Sequence, residues 1–251
     1  MTLPTSPGRE DPIYKPAVAP PSDPAHGAAF IFVHGLGDTA EGLEGIADQF
    51  QKNSKLNYMN WILPNASEDH DSMTTAWYQP TRLTPFPPPR PELEDEEDEQ
   101  GMRKSVAYIE SLLDACVNKG IPPQRIVLGG FSQGCVVSLL TDLTSSKYSG
   151  KLAGIVGLMG YMPLVERIQD MRAESGLPPV IGDVPMFLAR GQRDQLVPKR
   201  YWSQMLDKLR ELGLDESSLV ATEYQGGHGL SAPVLRDLCA WLERVVPDLG
   251  D

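Results

Sequence analysis

No stretch of this 251-residue chain approaches the ~20 apolar residues that cross a bilayer, so stable membrane insertion is not expected. Positive charge is scarce too: 22 Lys and Arg face 34 Asp and Glu, for a formal net charge of −12. Such a surface repels phosphate backbones, and no basic stripe offsets it, so nucleic acid is not expected as a partner. The opening stretch MTLPTSPGREDPIYKP has neither a basic region nor an apolar run, and no secretory signal is expected there. Cysteines number three, Cys116, Cys135 and Cys239, without the short spacing of a metal site. Each falls in a segment that reads as helix and is expected to be a small buried hydrophobe. These scarcities together point to a reducing compartment, the cytoplasm, with the nucleus left open.

What is present is a rhythm of short apolar runs alternating with amphipathic helices. The runs are AAFIFV (28–33), YMNWIL (58–63), RIVL (125–128), LAGIVGL (152–158), VPMFLA (184–189) and SLVATEY (218–224). Most are continuous rather than alternating, as strands covered on both faces are. Between them, Met102, Val106, Ile109, Leu113, Cys116 and Val117 share one helical face, and Trp202, Met205, Leu206, Leu209 and Leu212 share another. A last helix from about Pro233 aligns Val234, Leu238, Trp241, Leu242 and Val245. The pattern predicts an α/β fold with a mostly parallel central sheet and helices on both faces. Residues 1–10 read as a flexible tail and 11–251 as a single domain. IYKPAVAPPSDP is expected to run extended along the domain edge, because its prolines disfavour helix. Residues 81–100, TRLTPFPPPRPELEDEEDEQ, break the rhythm; proline and like charge predict a solvated surface insertion.

The chemistry begins at GGFSQG (129–134). A serine hydroxyl is a weak nucleophile, so it needs exposure on a sharp turn and an adjacent base. A strand-to-helix turn tight enough to expose Ser132 requires small residues two before and two after it, which Gly130 and Gly134 supply. A Gly-Ser turn without catalysis is the alternative, so partners decide. Of the four histidines, only His228, in YQGGHGL, follows the serine in the chain. Among acids between them, Asp183 precedes its strand and Asp207 belongs to a helix's solvent face. Asp194 lies just beyond a strand's C-terminal end, where a carboxylate could fix the imidazole tautomer. The first strand ends in FVHGLGD (32–38), whose Gly35 and Gly37 allow an amide to turn toward the same edge. The N–H of Leu36 and the N–H of Gln133, which opens the next helix, are the expected oxyanion donors. His34 is expected to support that loop. Replacing Gln133 by Ala keeps its amide, so it is predicted to lose far less activity than replacing Ser132 or His228 by Ala.

FIFVHGLGDTAEG, WILPNA, NKGIPPQRIVLGGFSQG, RGQRDQLVP and GGHGL together resemble the acyl-protein thioesterases, in the phospholipase/carboxylesterase branch of the α/β-hydrolases, over roughly residues 13–247. The resemblance implies a lidless α/β-hydrolase fold, Ser132, Asp194 and His228 as a triad, and Leu36 and Gln133 as the oxyanion hole. It implies S-palmitoylated proteins as substrates, with lysophospholipids and short esters also accepted. No metal and no organic cofactor is implied, and the chain is expected as a monomer or weak homodimer. An apolar acyl channel is expected along Trp77, Met162, Leu164, Leu196 and Val197. Two stretches depart from the family: WYQP (77–80) stands where a Trp-Phe-Asp sequence is usual, and RGQRD adds Arg190 and Arg193 before Asp194. A small-ester carboxylesterase or lysophospholipase, and a hydrolase-fold binding protein without catalysis, are the competing readings.

Overall fold

The computed structural model describes residues 1–52, 55–69, 73–86 and 96–250. Among them runs a seven-stranded sheet built from β1 (Ile13–Lys15), β2 (Ala28–Val33), β3 (Met59–Leu63), β6 (Ile126–Phe131), β7 (Gly154–Leu158), β8 (Met186–Gly191) and β9 (Leu219–Tyr224). Its order is β1-β3-β2-β6-β7-β8-β9. Only β1 is antiparallel, pairing Tyr14 with Ile62 at the edge, where the proline-rich segment was expected to run. A two-stranded hairpin, β4 (Ser67–Asp69) with β5 (Thr74–Ala76), stands outside this sheet.

Both faces of β2, β3, β6, β7 and β8 are buried, so alternate residues feed two cores. Phe30, Phe32, Trp61 and Phe187 point to one side and pack with α1 (Ala40–Lys52) and α6 (Ala232–Val245). Ile31, Leu128, Ile155 and Leu188 point to the other and meet α2 (Glu99–Asn118), α3 (Gln133–Thr144) and α5 (Lys199–Glu211). The short α4 (Ile168–Glu174) adds Ile168 and Met171 to that second core. α3 is buried on every side, which is why its sequence CVVSLLTDL shows no polar face. α2 buries Met102, Ser105, Tyr108, Ile109, Leu112, Leu113 and Cys116; Val117, expected on that face, is turned outward.

The register sets where chemistry can occur. Val33 lies beside Gly130, Gly130 beside Gly157, and Leu158 beside Ala189, so the C-terminal ends of the parallel strands share one rim. Between β2 and β6 the strand order reverses direction, which opens the crevice where ligands of open α/β sheets bind. Ser132 follows β6 and Leu36 follows β2, one on each side of that switch point.

Two expectations are corrected. Residues 1–10 do not form a free tail: Met1 and Leu3 pack against the core, Arg9 bridges to Ser67, and the Arg9 guanidinium contacts the rings of Trp77 and Tyr108. The acidic end of 81–100 is not a solvated excursion either. Glu97 accepts from the Leu164 N–H at 2.7 Å, and Asp98 caps α2 by accepting from the Gly101 N–H at 2.8 Å. Glu99 pairs with Arg103 and Arg167. Carboxylates at a helix start meet unpaired amides and a favourable dipole, which offsets their mutual repulsion. Residues 81–86 and 96 lie at the surface, as expected of an insertion, and residues 87–95 lie outside the described residues.

Candidate active site

Ser132 is forced into its turn by close backbone packing. Its φ of 54° and ψ of −117° lie where a side chain is strained, at a cost of about 1–3 kcal/mol. The strain is held by a 2.8 Å bond from the Ser132 N–H to the Leu158 carbonyl and by α3, whose Val136 N–H reaches the Ser132 carbonyl. A Cβ on Gly130 would strike the Gly134 backbone, and one on Gly134 would drive into the Val33 carbonyl. Only glycine fits at either position, so β2, β6 and α3 approach as closely as the elbow needs.

The other two loops meet by the same device. A Cβ on Gly191 would collide with the carbonyls of Gly226 and Gly227. That close approach lets Arg193 N–H bond the Gly226 carbonyl at 2.8 Å and Gln192 N–H bond Tyr224 at 2.8 Å. The loops after β8 and β9 are thereby locked together. Asp194 and His228 come with them: His228 Nδ1 lies 2.8 Å from Asp194 Oδ2, and His228 Nε2 lies 3.0 Å from Ser132 Oγ. The imidazole also packs on Phe131, with ring centroids 5.0 Å apart.

Asp194 is almost wholly buried. Burial alone would raise its pKa. The hydrogen bond with His228 and the N–H groups of Val197 and Leu196, both 2.9 Å from Oδ1, more than offset this and hold it below the ordinary carboxylate range. An ionised Asp194 accepts a proton donated by Nδ1, which leaves Nε2 as the acceptor facing the serine hydroxyl. The arrangement can therefore take a proton from Ser132 and stabilise the imidazolium that results.

Opposite the hydroxyl, Gly35 lies against Ser132; a Cβ there would sit 3.2 Å from Ser132 Cβ and 3.1 Å from the Phe131 ring. Gly37 takes φ +74° and donates to the Thr75 carbonyl at 2.9 Å, bending the loop around Leu36. The Leu36 N–H donates to no backbone carbonyl among the described residues. Gln133 N–H opens α3, where a helix leaves its first amides without internal partners. Buried His34 supports the loop: its Nδ1 donates to the Gly35 carbonyl at 2.7 Å and its Nε2 accepts from Ala66 N–H at 3.1 Å. Burial keeps this imidazole less basic than usual.

The expected acyl channel divides. Met162 and Leu164 line a cavity of about 680 Å³, together with Leu83, Tyr161, Val165 and Tyr201. Arg82, Glu96 and Arg200 also border it, so its wall is more charged than an acyl channel requires. Neither Ser132 nor His228 lines this cavity. Leu196 is 66% exposed on the rim, while Val197 is buried and reaches Asp194 with its amide. Trp77 is a correction: it is sealed in the core, 2% exposed, donating from Nε1 to the His34 carbonyl at 2.9 Å. Arg190, expected at the mouth, pairs instead with its cross-strand neighbour Glu223 at 2.7 Å. Sequence reasoning missed the Gln133 side chain, which accepts from Trp77 N–H at 3.0 Å and donates to the Tyr78 carbonyl at 3.1 Å. An amide side chain at the start of an apolar helix was the available signal. Among the described residues, no three His, Cys, Asp or Glu side chains are grouped to hold a metal ion.

The sequence profile of the phospholipases and carboxylesterases matches residues 14–245. The chain is 33% identical over 239 residues to acyl-protein thioesterase 1 of Yarrowia lipolytica, covering 93% of this chain and 98% of that one. Against acyl-protein thioesterase 1 of Neurospora crassa the identity is 31%, with 97% and 95% covered. Among solved structures, acyl-protein thioesterase 2 of Zea mays superimposes with a TM-score of 0.71 at 22% identity, covering 94% and 98%, a likeness of fold.

Proposed function

The chain belongs to the phospholipase/carboxylesterase family, and on that footing we propose that it is a serine hydrolase releasing fatty acyl groups, palmitoyl above all, from cysteine thioesters of proteins. The observation that carries the reading is the continuous contact from Asp194 through His228 to Ser132 at the rim of the sheet.

In this reading, Ser132 Oγ attacks the thioester carbonyl as its proton passes to His228 Nε2. The carbonyl oxygen gains the negative charge and is met by the N–H groups of Leu36 and Gln133. Each such donor typically lowers the barrier by about 3 kcal/mol. Collapse breaks the C–S bond, the cysteine sulfur leaves with the imidazolium proton, and the acyl group stays on Ser132. Water then attacks the acyl-enzyme, His228 takes its proton, and the fatty acid departs as Ser132 Oγ is reprotonated. A thiol, with a pKa near 8.5, leaves more readily than an alcohol, so the thioester demands less acid assistance.

The cavity lined by Met162 and Leu164 supports a second reading. Its charged border suits a small ester or a lysophospholipid as well as a long acyl chain. Measuring kcat/KM side by side on a palmitoylated peptide, a lysophospholipid and a short aryl ester separates the two. The thioesterase reading expects the palmitoylated peptide to lead; turnover of the short ester alone would overturn it. S-acylated proteins are thus the proposed partners, met transiently as substrates.

A further inference from the structure

We propose that Arg9 is a positioning residue for the oxyanion site, acting through Trp77, which brackets both stretches of backbone that carry the Leu36 and Gln133 amides. The inference rests on the reading of those two amides as oxyanion donors.

Trp77 is tied on two sides. Its indole Nε1 donates to the carbonyl of His34, two residues before Leu36, at 2.9 Å. Its backbone N–H donates to Gln133 Oε1 at 3.0 Å, which fixes the first residue of α3. A shift of this one residue, side chain and backbone together, therefore reaches both donors. What holds it comes from the N-terminal segment. The Arg9 guanidinium carbon lies 5.0 Å from the centroid of Trp77 and 4.8 Å from that of Tyr108, in contact with both rings of a stacked pair whose centroids are 6.5 Å apart. Its Nη1 donates to the Asn65 carbonyl at 3.2 Å and its Nη2 to Ser105 Oγ at 3.2 Å. Ser105 Oγ in turn donates to the Trp77 carbonyl.

Asn65 joins the same assembly to the start of α1. Its Oδ1 accepts from Ala40 N–H at 2.8 Å, just beyond the Leu36 loop, and its Nδ2 donates to the Asp11 carbonyl at 2.9 Å. Arg9 thus touches both supports of Trp77, Ser105 below and Tyr108 beside it, while anchoring the strand end that contacts His34. A planar fork is needed to stack on two rings and bond two oxygens at once, which an ammonium cannot do. Oxyanion donors act only when aligned to the developing charge, so a small tilt of Trp77 costs transition-state stabilisation and leaves ground-state binding alone.

The test uses the full chain and a short aryl ester, comparing Arg9→Ala, Arg9→Lys, Trp77→Phe and the Arg9→Ala/Trp77→Phe double variant. Arg125→Ala is the control, because buried Arg125 bonds the carbonyls of His26, Gly27 and Pro247 far from the rim. Arg9→Ala is expected to lower kcat about tenfold or more with KM within about twofold, Lys to recover only part, and the double variant to lose little beyond the worse single. Arg125→Ala is expected to melt earlier without that loss of kcat. Wild-type kcat in Arg9→Ala, multiplied losses in the double variant, or an equal kcat loss in Arg125→Ala overturns the inference. If Arg9→Ala does not fold, Arg9→Gln is held to the same kcat criterion. A wild-type chain that turns over no ester removes the hydrolase reading itself; an active wild type beside an equally active Arg9→Ala removes only the role of Arg9.

Discussion

The two sides of the rim are built by different means. On the Ser132–His228–Asp194 side, glycines let backbones touch: Gly130 and Gly134 under the elbow, Gly191 between the loops after β8 and β9. On the side of the proposed oxyanion donors, side chains do the holding: Arg9, His34, Asn65, Trp77, Ser105 and Gln133 form one hydrogen-bonded cluster behind the Leu36 and Gln133 amides. Backbone contact tolerates no substitution, whereas a side-chain cluster can be trimmed and partly repaired. The first side should therefore fail abruptly and the second by degrees.

The sharpest way to break that contrast is to remove the chemistry on the first side. Ser132→Ala and His228→Ala should each lower kcat at least about a thousandfold while the chain stays folded, read by ester hydrolysis alongside circular dichroism. Next comes Gly134→Ala, which places a methyl inside the Val33 carbonyl. Activity should vanish and stability fall by about 3 kcal/mol, read by denaturant unfolding. A Gly134→Ala chain with normal stability and kcat would remove the claim that backbone contact holds this side.

On the second side, Gln133→Ala keeps the amide but leaves Trp77 N–H and the Tyr78 carbonyl without their partner. A loss of about 1–3 kcal/mol in stability and about tenfold in kcat is expected, far short of the Ser132 and His228 variants. The smallest effect separates two buried carboxylates. Asp194, met by two amides and an imidazole, is held low, so its contribution to stability is present above the unfolded aspartate pKa and fades as pH falls through the lower folded value. Among the described residues, Asp142 in α3 is met by a 3.4 Å bond from the Gly150 N–H and by the more distant charge of Arg172, and burial raises its pKa to about 7. Its sign is opposite: stability falls as pH rises from about 4 to about 7 and is level above. Asp142→Asn should melt higher than wild type at pH 8 and lose that slope, read by melting temperature across pH.

The same division explains what could be read from the chain beforehand. Close backbone contact demands glycine, and glycine at fixed offsets from Ser132 is visible as a motif. The central strands β2, β3, β6, β7 and β8 were visible because each is buried on both faces and so is continuously apolar. The side-chain cluster left no such mark: Arg9 sits in a stretch whose composition reads as tail, and Trp77 as an apolar residue near a channel. α1 was passed over because Gly42 and Gly45 interrupt its pattern, although Leu43, Ala47 and Phe50 bury one face. The acids at 97–99 read as a repelling run because their partners, the Leu164 and Gly101 amides and Arg167, are supplied only by folding.

The most direct test of the account is to treat the native chain with a fluorophosphonate and map the adduct by peptide mass spectrometry. The account predicts one adduct per chain, on Ser132, blocked when His228 is replaced by alanine. Stoichiometric ester turnover with Ser132 unlabelled, or labelling that is indifferent to His228, would contradict it.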